Sequence, residues 1–301
     1  MKTTTPRRSF FAPGRVNLIG EYTDLVGGLA LPAAIDLGVT LTIEPAAELS
    51  IVSDAGDLSA SVAAVVAELG EVPPCRGVLS STLPIGAGLS SSAAVHVVLT
   101  LALGGLDGME LALVAQRAEK RALGVPSGIL DQAASALGRE GHAVLLDFAS
   151  LAFEHVPLPD GLAIVVVDSG VARRNAETGY AARKRELEDG MPSRRRHIES
   201  ENGRVRAVVA ALRAGDLEAL GTLFREGHES LRDDFEVTTP ELDRLVELAY
   251  ANGAVAARMT GGGFGGAIVA LVDAGDAQSF ASRMPGRSWV TAASAGAREL
   301  R

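Results

Sequence analysis

The sequence predicts an α/β protein, and three observations indicate this class. Short apolar runs rich in β-branched residues alternate along the chain with longer segments of helical periodicity. Turn and cap residues, chiefly Gly, Pro and Ser, separate these runs. Hydrophobic residues make up 47% of the 301 residues, which is enough to build a packed core.

Strands and helices alternate most clearly in the first half. Ser90 or Ser91 can cap a helix whose end is marked by the pair Gly104–Gly105. Short apolar runs before this helix, and after a second helix that follows it, are typical of strands. The predicted elements are strands over 37–43 and 77–83, helices over 90–104 and 109–123, and strands over 143–147 and 162–167.

The second half differs in composition. Beyond Val171 the chain is polar and rich in Arg and Glu until about Arg206. Pro157 and Pro159 interrupt the periodicity, so we place a boundary there and expect two units, 1–156 and 157–301. The predicted elements are helices over 205–213, 217–224 and 240–250, and strands over 254–259, 267–272 and 290–293, the last of these being the final strand.

Charge and cysteine content exclude some classes of protein. The formal net charge of −9 argues against a general nucleic-acid binder, which would carry a basic face. The dense basic run 194–197 precedes the acidic Glu199 and Glu201, so we interpret it as the solvated surface of a helix. Cys75 is the only cysteine, which excludes an intrachain disulfide and a cysteine-based zinc site.

No secretory or membrane segment is predicted. The first eight residues are polar and lead directly into a motif. The longest apolar stretch, 93–106, is interrupted by His96 and Thr100 and is shorter than the roughly 20 residues that span a bilayer. We interpret His96 as a packed core residue, and we expect a cytoplasmic protein.

The first of three glycine-marked segments, APGRVNLIGEYTD, covers residues 12–24. It places the cation Arg15 and the carboxylates Glu21 and Asp24 in a stretch whose glycines allow the backbone to approach a ligand closely. Carboxylates a few residues apart on a loop can accept several hydrogen bonds from a polyol. An ordinary charged surface loop is the alternative.

The second segment, LPIGAGLSSSAAV, covers residues 83–95. A Gly-x-Gly turn that leads into a serine-capped helix presents free N–H groups at the positive end of the helix dipole, which suits phosphate. The serine hydroxyls can add phosphate or metal contacts. No Lys follows the glycines, so this is not a Walker A loop, and a well-capped core helix is the alternative.

The third segment, RMTGGGFGG, covers residues 258–266. It satisfies the dinucleotide pattern Gly-x-Gly-x-x-Gly, but that pattern requires a helix after the glycines, and a strand over 267–272 is predicted here. A glycine-rich hairpin turn is therefore the better interpretation, and an NAD-dependent oxidoreductase is disfavoured.

A fourth short segment, GVPSGILDQ, covers residues 124–132. Asp131 follows a Gly/Pro turn at the start of an apolar helix. It is either an N-cap or a base that orients a substrate hydroxyl.

In this order the segments resemble the motifs of the GHMP kinases, and specifically of galactokinases. The first is similar to the galactokinase signature GRVNLIGEHTD, and the serine-rich loop and the GGGFGG turn resemble the second and third family motifs. The resemblance covers about residues 11–272. It implies a two-lobed α/β fold with an N-terminal lobe similar to ribosomal S5 domain 2 and a ferredoxin-like C-terminal lobe.

The resemblance also implies transfer of the γ-phosphate of ATP, with Mg²⁺, to the anomeric hydroxyl of galactose. Asp131 would lie beside the attacking hydroxyl, and Arg15 would hold Asp131 ionised and stabilise the transferring group. The other implied roles are phosphate binding by Gly86, Gly88, Ser90, Ser91 and Ser92, metal binding by Ser92 and Glu119, and sugar binding by Glu21, Tyr22, Asp24, Gly128 and Tyr180.

The chain departs from the galactokinase pattern in two places. Tyr22 stands where the family has His, which implies a changed sugar preference or a neutral substitution. Residues 44–74 are compressed, and the family's WxNYxxG segment near the adenine is missing, since the only tryptophan is Trp289.

Two alternatives follow. One is a 1-kinase for arabinose, a heptose or an amino sugar, and the other is a non-catalytic sugar sensor, which the retained Asp131, Arg15, Ser92 and Glu119 argue against. The expected partners are a sugar and a nucleotide, without nucleic acid or membrane, for a monomer or weak homodimer.

Overall fold

A computed structural model describes residues 7–54, 56–84, 86–124, 128–171 and 176–301. The predicted turn residues 125–127 lie outside this set, as do residues 1–6. The strands are β1 (Arg8–Asn17), β2 (Leu29–Ala30), β3 (Pro32–Pro45), β4 (Ser50–Ser53), β5 (Cys75–Ser81), β6 (His142–Asp147), β7 (Phe153–Pro157), β8 (Leu162–Asp168), β9 (Ala256–Thr260), β10 (Ala267–Asp273), β11 (Ser288–Thr291) and β12 (Arg298–Leu300). The helices are α1 (Ser59–Leu69), α2 (Ser91–Gly104), α3 (Gly108–Leu123), α4 (Leu130–Leu137), α5 (Ala176–Glu188), α6 (Pro192–Ala214), α7 (Leu217–Asp233), α8 (Pro240–Ala251) and α9 (Ala277–Arg283).

The first sheet has five strands in the order β12-β1-β3-β5-β4. The long strands β1 and β3 pair antiparallel, and α2 packs against both of them. Apolar residues cover most of the circumference of α2, so this helix is central to the core, and His96 is buried in it as predicted.

A register shift between Pro13 and Arg15 interrupts the pairing of β1 with β3. A Cβ added at Gly14 would lie 2.7 Å from the carbonyl oxygen of Leu89, so only glycine allows the serine-rich loop to approach β1 this closely. The Arg15 N–H donates to the same carbonyl at 3.2 Å. Part of the first segment, predicted as a loop, is therefore a strand as far as Asn17, because it pairs with β3 on both sides of the irregularity.

The second sheet has four antiparallel strands in the order β11-β8-β10-β9. With α5–α8 between β8 and β9, and α9 between β10 and β11, the order is 4-1-3-2 in a β-α-β-β-α-β unit. This is the ferredoxin-like topology that was predicted. The glycine-rich segment is the turn of the β9–β10 hairpin, so the prediction of a hairpin is confirmed and a dinucleotide fingerprint is excluded.

A third sheet, in the order β2-β6-β7, pairs residues 29–30, which follow the signature segment, with the last two strands of the first half. The boundary predicted between residues 156 and 157 falls at the end of β7, whose last residue is Pro157. The prediction that 290–293 forms the final strand is wrong, because Arg298–Leu300 follows it and pairs antiparallel with β1. These three residues are exposed and lack an alternating apolar pattern, which left no signal for a strand.

The basic run 194–197 was predicted to be a solvated surface, and this is wrong for His197, which is fully buried, and for Arg194. The side chain of Arg194 is 2% exposed, with Nε 2.7 Å from the Glu186 carboxylate and Nη2 2.9 Å from that of Glu236. Charge density alone does not distinguish a solvated arginine from one that holds a helix to neighbouring acidic segments. Arg196 is 62% exposed and agrees with the prediction.

Within the described part of the chain, no single helix has the length and hydropathy needed to cross a membrane. The pair α2 and α3 reaches that composition only jointly, and the two helices meet at a bend of 116°.

Candidate active site

The motif segments line one cavity of about 910 Å³. The serine-rich loop, the end of β1, the start of α4, one face of α5 and the β9–β10 turn all contribute to its wall. Every residue predicted to take part in the site lines this cavity except Glu119, which lies behind the wall. The lining residues among those predicted are Arg15, Glu21, Tyr22, Asp24, Gly86, Gly88, Ser90, Ser91, Ser92, Gly128, Asp131 and Tyr180.

Asp131 lies in the first turn of α4 and is held by two side chains. The Arg15 Nε donates to Asp131 Oδ1 at 2.8 Å, and the Ser90 hydroxyl donates to Oδ2. Arg15 is buried, and its Nη1 also donates to the carbonyl of Gly88 at 2.8 Å. The N-cap alternative for Asp131 is wrong, since Ile129 occupies that position. A carboxylate fixed between an arginine and the serine-rich loop can accept a proton from a substrate hydroxyl.

The serine-rich loop turns through left-handed backbone at Gly86, Gly88 and Ser90, with φ values of 83°, 74° and 61°. Ser90 is the N-cap of α2, but its side chain makes no capping bond because its hydroxyl is directed at Asp131. The first N–H groups of α2 therefore face the cavity without a side-chain cap, which is the arrangement that binds phosphate.

Glu119 on α3 lies beneath the serine-rich loop. Its carboxylate makes hydrogen bonds with Ser92 and with the amide of Gln132, and burial, followed by the charge of Asp131, raises its pKa. No group of three or more His, Cys, Asp or Glu that could hold a metal occurs in the described residues. A carboxylate and a hydroxyl are hard oxygen ligands of the kind that Mg²⁺ takes when phosphates supply others.

Asp24 and Gly128 form one side of the cavity. A Cβ added at Gly128 would lie 1.7 Å from Asp24 Oδ2, so the carboxylate occupies the space of a side chain at 128. Burial, and then the negative charge of Asp131, raises the pKa of Asp24 to about 6. Two carboxylates therefore face the same part of the cavity, and a ligand with several hydroxyl donors satisfies both.

Tyr22 adopts a left-handed backbone conformation, with φ 66°. Its hydroxyl donates to the carbonyl of Gly262 at 2.6 Å, and its ring stacks on Tyr180 with centroids 5.3 Å apart and contacts Phe235 at 4.4 Å. The resemblance implies that Tyr22 binds the sugar. Its hydroxyl ties the signature loop to the glycine-rich turn, while its ring forms part of the cavity wall. Burial, and then the charge of Asp24, raises the pKa of Tyr180.

Glu21 belongs to a buried ionic cluster that the sequence did not reveal. Arg258, fully buried, reaches both Glu21 Oε2 and Glu201 Oε1 at 2.7 Å through Nη2. Glu201 also accepts from the Gly20 N–H at 2.9 Å and from Arg204 Nε at 2.8 Å. Burial raises the pKa of Glu21 to about 7. At Glu201 burial acts in the same direction, but the charges of Arg258, His197 and Arg204 together outweigh it and hold the pKa at about 2.

Several functional positions were missed from the sequence. Arg258 is the first residue of the third segment and lies in β9. An arginine in a strand of otherwise buried residues is itself a signal for a carboxylate partner. Lys184 and Arg185 lie one turn after Tyr180 and Ala181 on α5, at a spacing of four residues, and all four line the cavity. Asn17, two residues after Arg15 on the same strand, also lines the cavity.

Comparisons with known proteins agree with this geometry. Three family profiles match: the galactokinase galactose-binding signature over 2–45, the GHMP kinase N-terminal domain over 57–139 and the GHMP kinase C-terminal region over 208–290. Fold and site together therefore define a GHMP kinase.

The more specific matches are to galactokinases. The chain is 36% identical to the galactokinase of Thermococcus kodakarensis, over 89% of this chain and 90% of that one, and 36% identical to that of Streptomyces coelicolor, over 98% and 95%. The Lactococcus lactis galactokinase complexed with galactose superposes with a TM-score of 0.89 at 29% identity, covering 99% and 96% of the two chains. Mevalonate kinase from L. major, with a TM-score of 0.76 at 22% identity over 97% of both chains, shares the fold. The chain belongs to the galactokinase family, and it is a two-lobed, ATP-using phosphotransferase with an alcohol group as acceptor.

Proposed function

We propose that the protein transfers the γ-phosphate of ATP to the anomeric hydroxyl of galactose. The observation that carries this proposal is the unit formed by Arg15, Asp131 and Ser90, which joins the phosphate-binding loop to the carboxylate-lined side of one cavity. A hydroxyl beside Asp131 and a phosphate beside the serine-rich loop are thereby adjacent.

In the proposed reaction the anomeric oxygen attacks the γ-phosphorus and gives its proton to Asp131. The bond from the γ-phosphorus to the β–γ bridging oxygen breaks, and ADP leaves with the electron pair. Arg15, which is paired with Asp131, stabilises charge on the transferring group. Positioning contributes most, roughly 7–11 kcal/mol for well-oriented reactants, whereas a general base adds only about 10² to 10⁴-fold.

We propose that Ser92 and Glu119 hold Mg²⁺ together with phosphate oxygens. When bound, the ion neutralises phosphate charge. The hydroxyl and the buried carboxylate already lie within hydrogen-bonding distance of each other, and a cation offsets the burial that raises the pKa of Glu119.

We assign sugar binding to Glu21, Asp24, Gly128 and Tyr180, with the ring of Tyr22 as a wall. The Asp24 carboxylate accepts hydrogen bonds from sugar hydroxyls. Residue 128 has to be glycine because a side chain there would occupy the space of the Asp24 carboxylate. The lobes are proposed to be 1–156 and 157–301. As an ATP-using enzyme, the protein is proposed to work in the cytoplasm as a monomer or weak homodimer.

A 1-kinase for another sugar is the second candidate, and Tyr22 is the observation that favours it. Its phenol occupies a wall position where the resembling galactokinases have an imidazole, and its hydroxyl is bound to Gly262. The size of the ring therefore limits the substituent that can lie against this wall.

The test is ADP release by purified protein with Mg²⁺-ATP across a panel of monosaccharides that includes galactose, arabinose, a heptose and an amino sugar. We expect the highest kcat/KM for galactose, and a loss of at least about 10²-fold in Asp131→Asn, whose amide cannot accept the proton. Asn252→Ala, directly after α8 and away from the cavity, is the control. A greater kcat/KM for another sugar, or near-normal turnover in Asp131→Asn, contradicts the proposal.

A further inference from the structure

Asn17, the last residue of β1, has a buried side chain on the cavity wall. The residue is 1% exposed, and neither Oδ1 nor Nδ2 of its carboxamide has a hydrogen-bond partner among the described residues. Its backbone, by contrast, is fully paired, because its N–H donates to the Thr260 hydroxyl at 2.9 Å and its carbonyl accepts from the same hydroxyl at 3.0 Å. The backbone of Asn17 is therefore held in place, while its side-chain amide makes no hydrogen bond to the described residues.

An unpaired buried amide is costly for a fold, and nearly all buried polar groups are paired. The direction of the side chain indicates what offsets this cost. Residues two apart on a strand point to the same face, so Asn17 faces the cavity with Arg15, which holds Asp131. Thr260, which holds the Asn17 backbone, precedes Gly261, whose N–H approaches Glu21 Oε1 at 3.4 Å. Asn17 is thus linked through β1 to the proposed catalytic unit and through Thr260 to the turn that meets a carboxylate of the sugar side.

The chemistry of the amide selects the ligand. A carboxamide presents a donor and an acceptor side by side. A phosphate oxygen at neutral pH accepts only and would leave Oδ1 unpaired, whereas a sugar hydroxyl, or two neighbouring hydroxyls, can both donate and accept. We propose that Asn17 is a specificity-determining residue that binds sugar hydroxyls with both atoms of its amide. This inference rests on the proposed function and extends its set of sugar-binding residues.

The test compares Asn17→Ala and Asn17→Leu with wild type, on galactose and on its 2-, 3-, 4- and 6-deoxy forms. Each deoxy sugar has a penalty, the ratio of kcat/KM for galactose to that for the analogue. A site built to bind a hydroxyl rejects the analogue that lacks it strongly. We expect at least one penalty to fall about tenfold or more in both variants, because the hydroxyl loses its partner, while KM for ATP stays within about twofold.

The stability of the ligand-free protein distinguishes a binding role from a structural one. If the Asn17 amide only stabilised the fold, replacing it would lower Tm. Replacing an unpaired buried amide by a leucine of similar size should leave Tm unchanged or raise it. Galactose alone should raise Tm in wild type and not in Asn17→Leu. Asn252→Ala, which removes an amide that bonds the Leu248 carbonyl at 2.8 Å, is the matched control.

The outcomes separate the two proposals. Wild-type turnover of galactose with all four penalties unchanged in the variants overturns the role of Asn17 and leaves the proposed function in place. A rise in KM for ATP instead of galactose also overturns it, since the amide would then serve the nucleotide. A wild type that neither phosphorylates galactose nor is stabilised by it refutes the function and the sugar assignment together.

Discussion

Arg258→Met should destabilise the fold severely and in a pH-dependent way. Methionine keeps most of the length of the side chain but removes the charge that Glu21 and Glu201 share at 2.7 Å each. Both carboxylates are at most 3% exposed, so neither can turn to solvent. Removing one partner from a buried ionic group costs about 3–5 kcal/mol, and we expect a loss of that size at pH 8.

The loss should shrink at lower pH. Without the Arg258 charge the folded-state pKa values of Glu21 and Glu201 rise, the first from about 7 and the second from about 2. A carboxyl whose pKa is higher in the folded than in the unfolded chain destabilises the fold as pH rises from about 4.3 to the folded value. At pH 5 Glu21 binds a proton in the folded variant. The deficit should therefore shrink between pH 8 and pH 5 by about 1.4 kcal/mol for each pKa unit by which loss of the Arg258 charge raises the pKa of Glu21.

The assay is urea unfolding followed by far-UV circular dichroism at pH 5 and pH 8. Arg287→Met is the matched control, because Arg287 pairs with Asp168 at 2.9 Å but is 63% exposed, and such pairs contribute no more than about 1 kcal/mol. A deficit of less than about 1 kcal/mol for Arg258→Met, or one that is equal at the two pH values, would refute the reasoning.

Four further predictions concern the site. Glu119→Gln should raise the Mg²⁺ concentration for half-maximal rate, since a ligand loses its charge; the measurement is a metal titration. Gly128→Ala should raise KM for galactose at least tenfold with little change in KM for ATP, because its Cβ would lie 1.7 Å from Asp24 Oδ2. Tyr22→His should shift the kcat/KM ratio between galactose and the best other sugar toward galactose by about tenfold, roughly 1.4 kcal/mol. KM for galactose should rise as pH falls below about 6, where Asp24, held between the charges of Asp131 and Arg15, takes up a proton.

Each of these has a clear contrary result. Full activity in excess EDTA contradicts the metal site, and an unaltered KM for galactose in Gly128→Ala contradicts the placement of Asp24. An unchanged sugar ratio in Tyr22→His makes that substitution neutral. A pH profile of KM that is the same in wild type and Asp24→Asn shows that another group titrates.

Local signals predicted most of the elements. The helix after Ser90, the β9–β10 hairpin and the strands 142–147 and 162–168 all combine a strong period with a turn or cap at the ends. The predicted ends of helices and strands were less accurate where the hydrophobic periodicity was weak. The helix predicted from 205 begins at Pro192, since proline at the first position starts a helix that charged residues then continue.

The site was predictable as far as single motifs extend. Arg15, Asp131 and Ser90 were each recognised from their own segment, but the bond between Ser90 and Asp131 depends on tertiary structure. The cluster around Arg258 joins residues more than 50 positions apart in the chain, and no local pattern predicts such pairing. The state of the Asn17 amide is likewise a property of packing, because the sequence shows an asparagine but not whether anything pairs with it.

The cluster around Arg258 limits which halves of two related chains can be joined in one functional chimera. Glu21 lies in the sugar signature, whereas Arg258 and Glu201 both come from the C-terminal half. A crossover between residues 156 and 157 that joins halves from two relatives would separate Glu21 from both of its partners in one step. The two halves therefore have to match at this cluster, and a chimera is expected to keep its sugar loop only if the incoming half supplies an arginine and a carboxylate at the positions of Arg258 and Glu201.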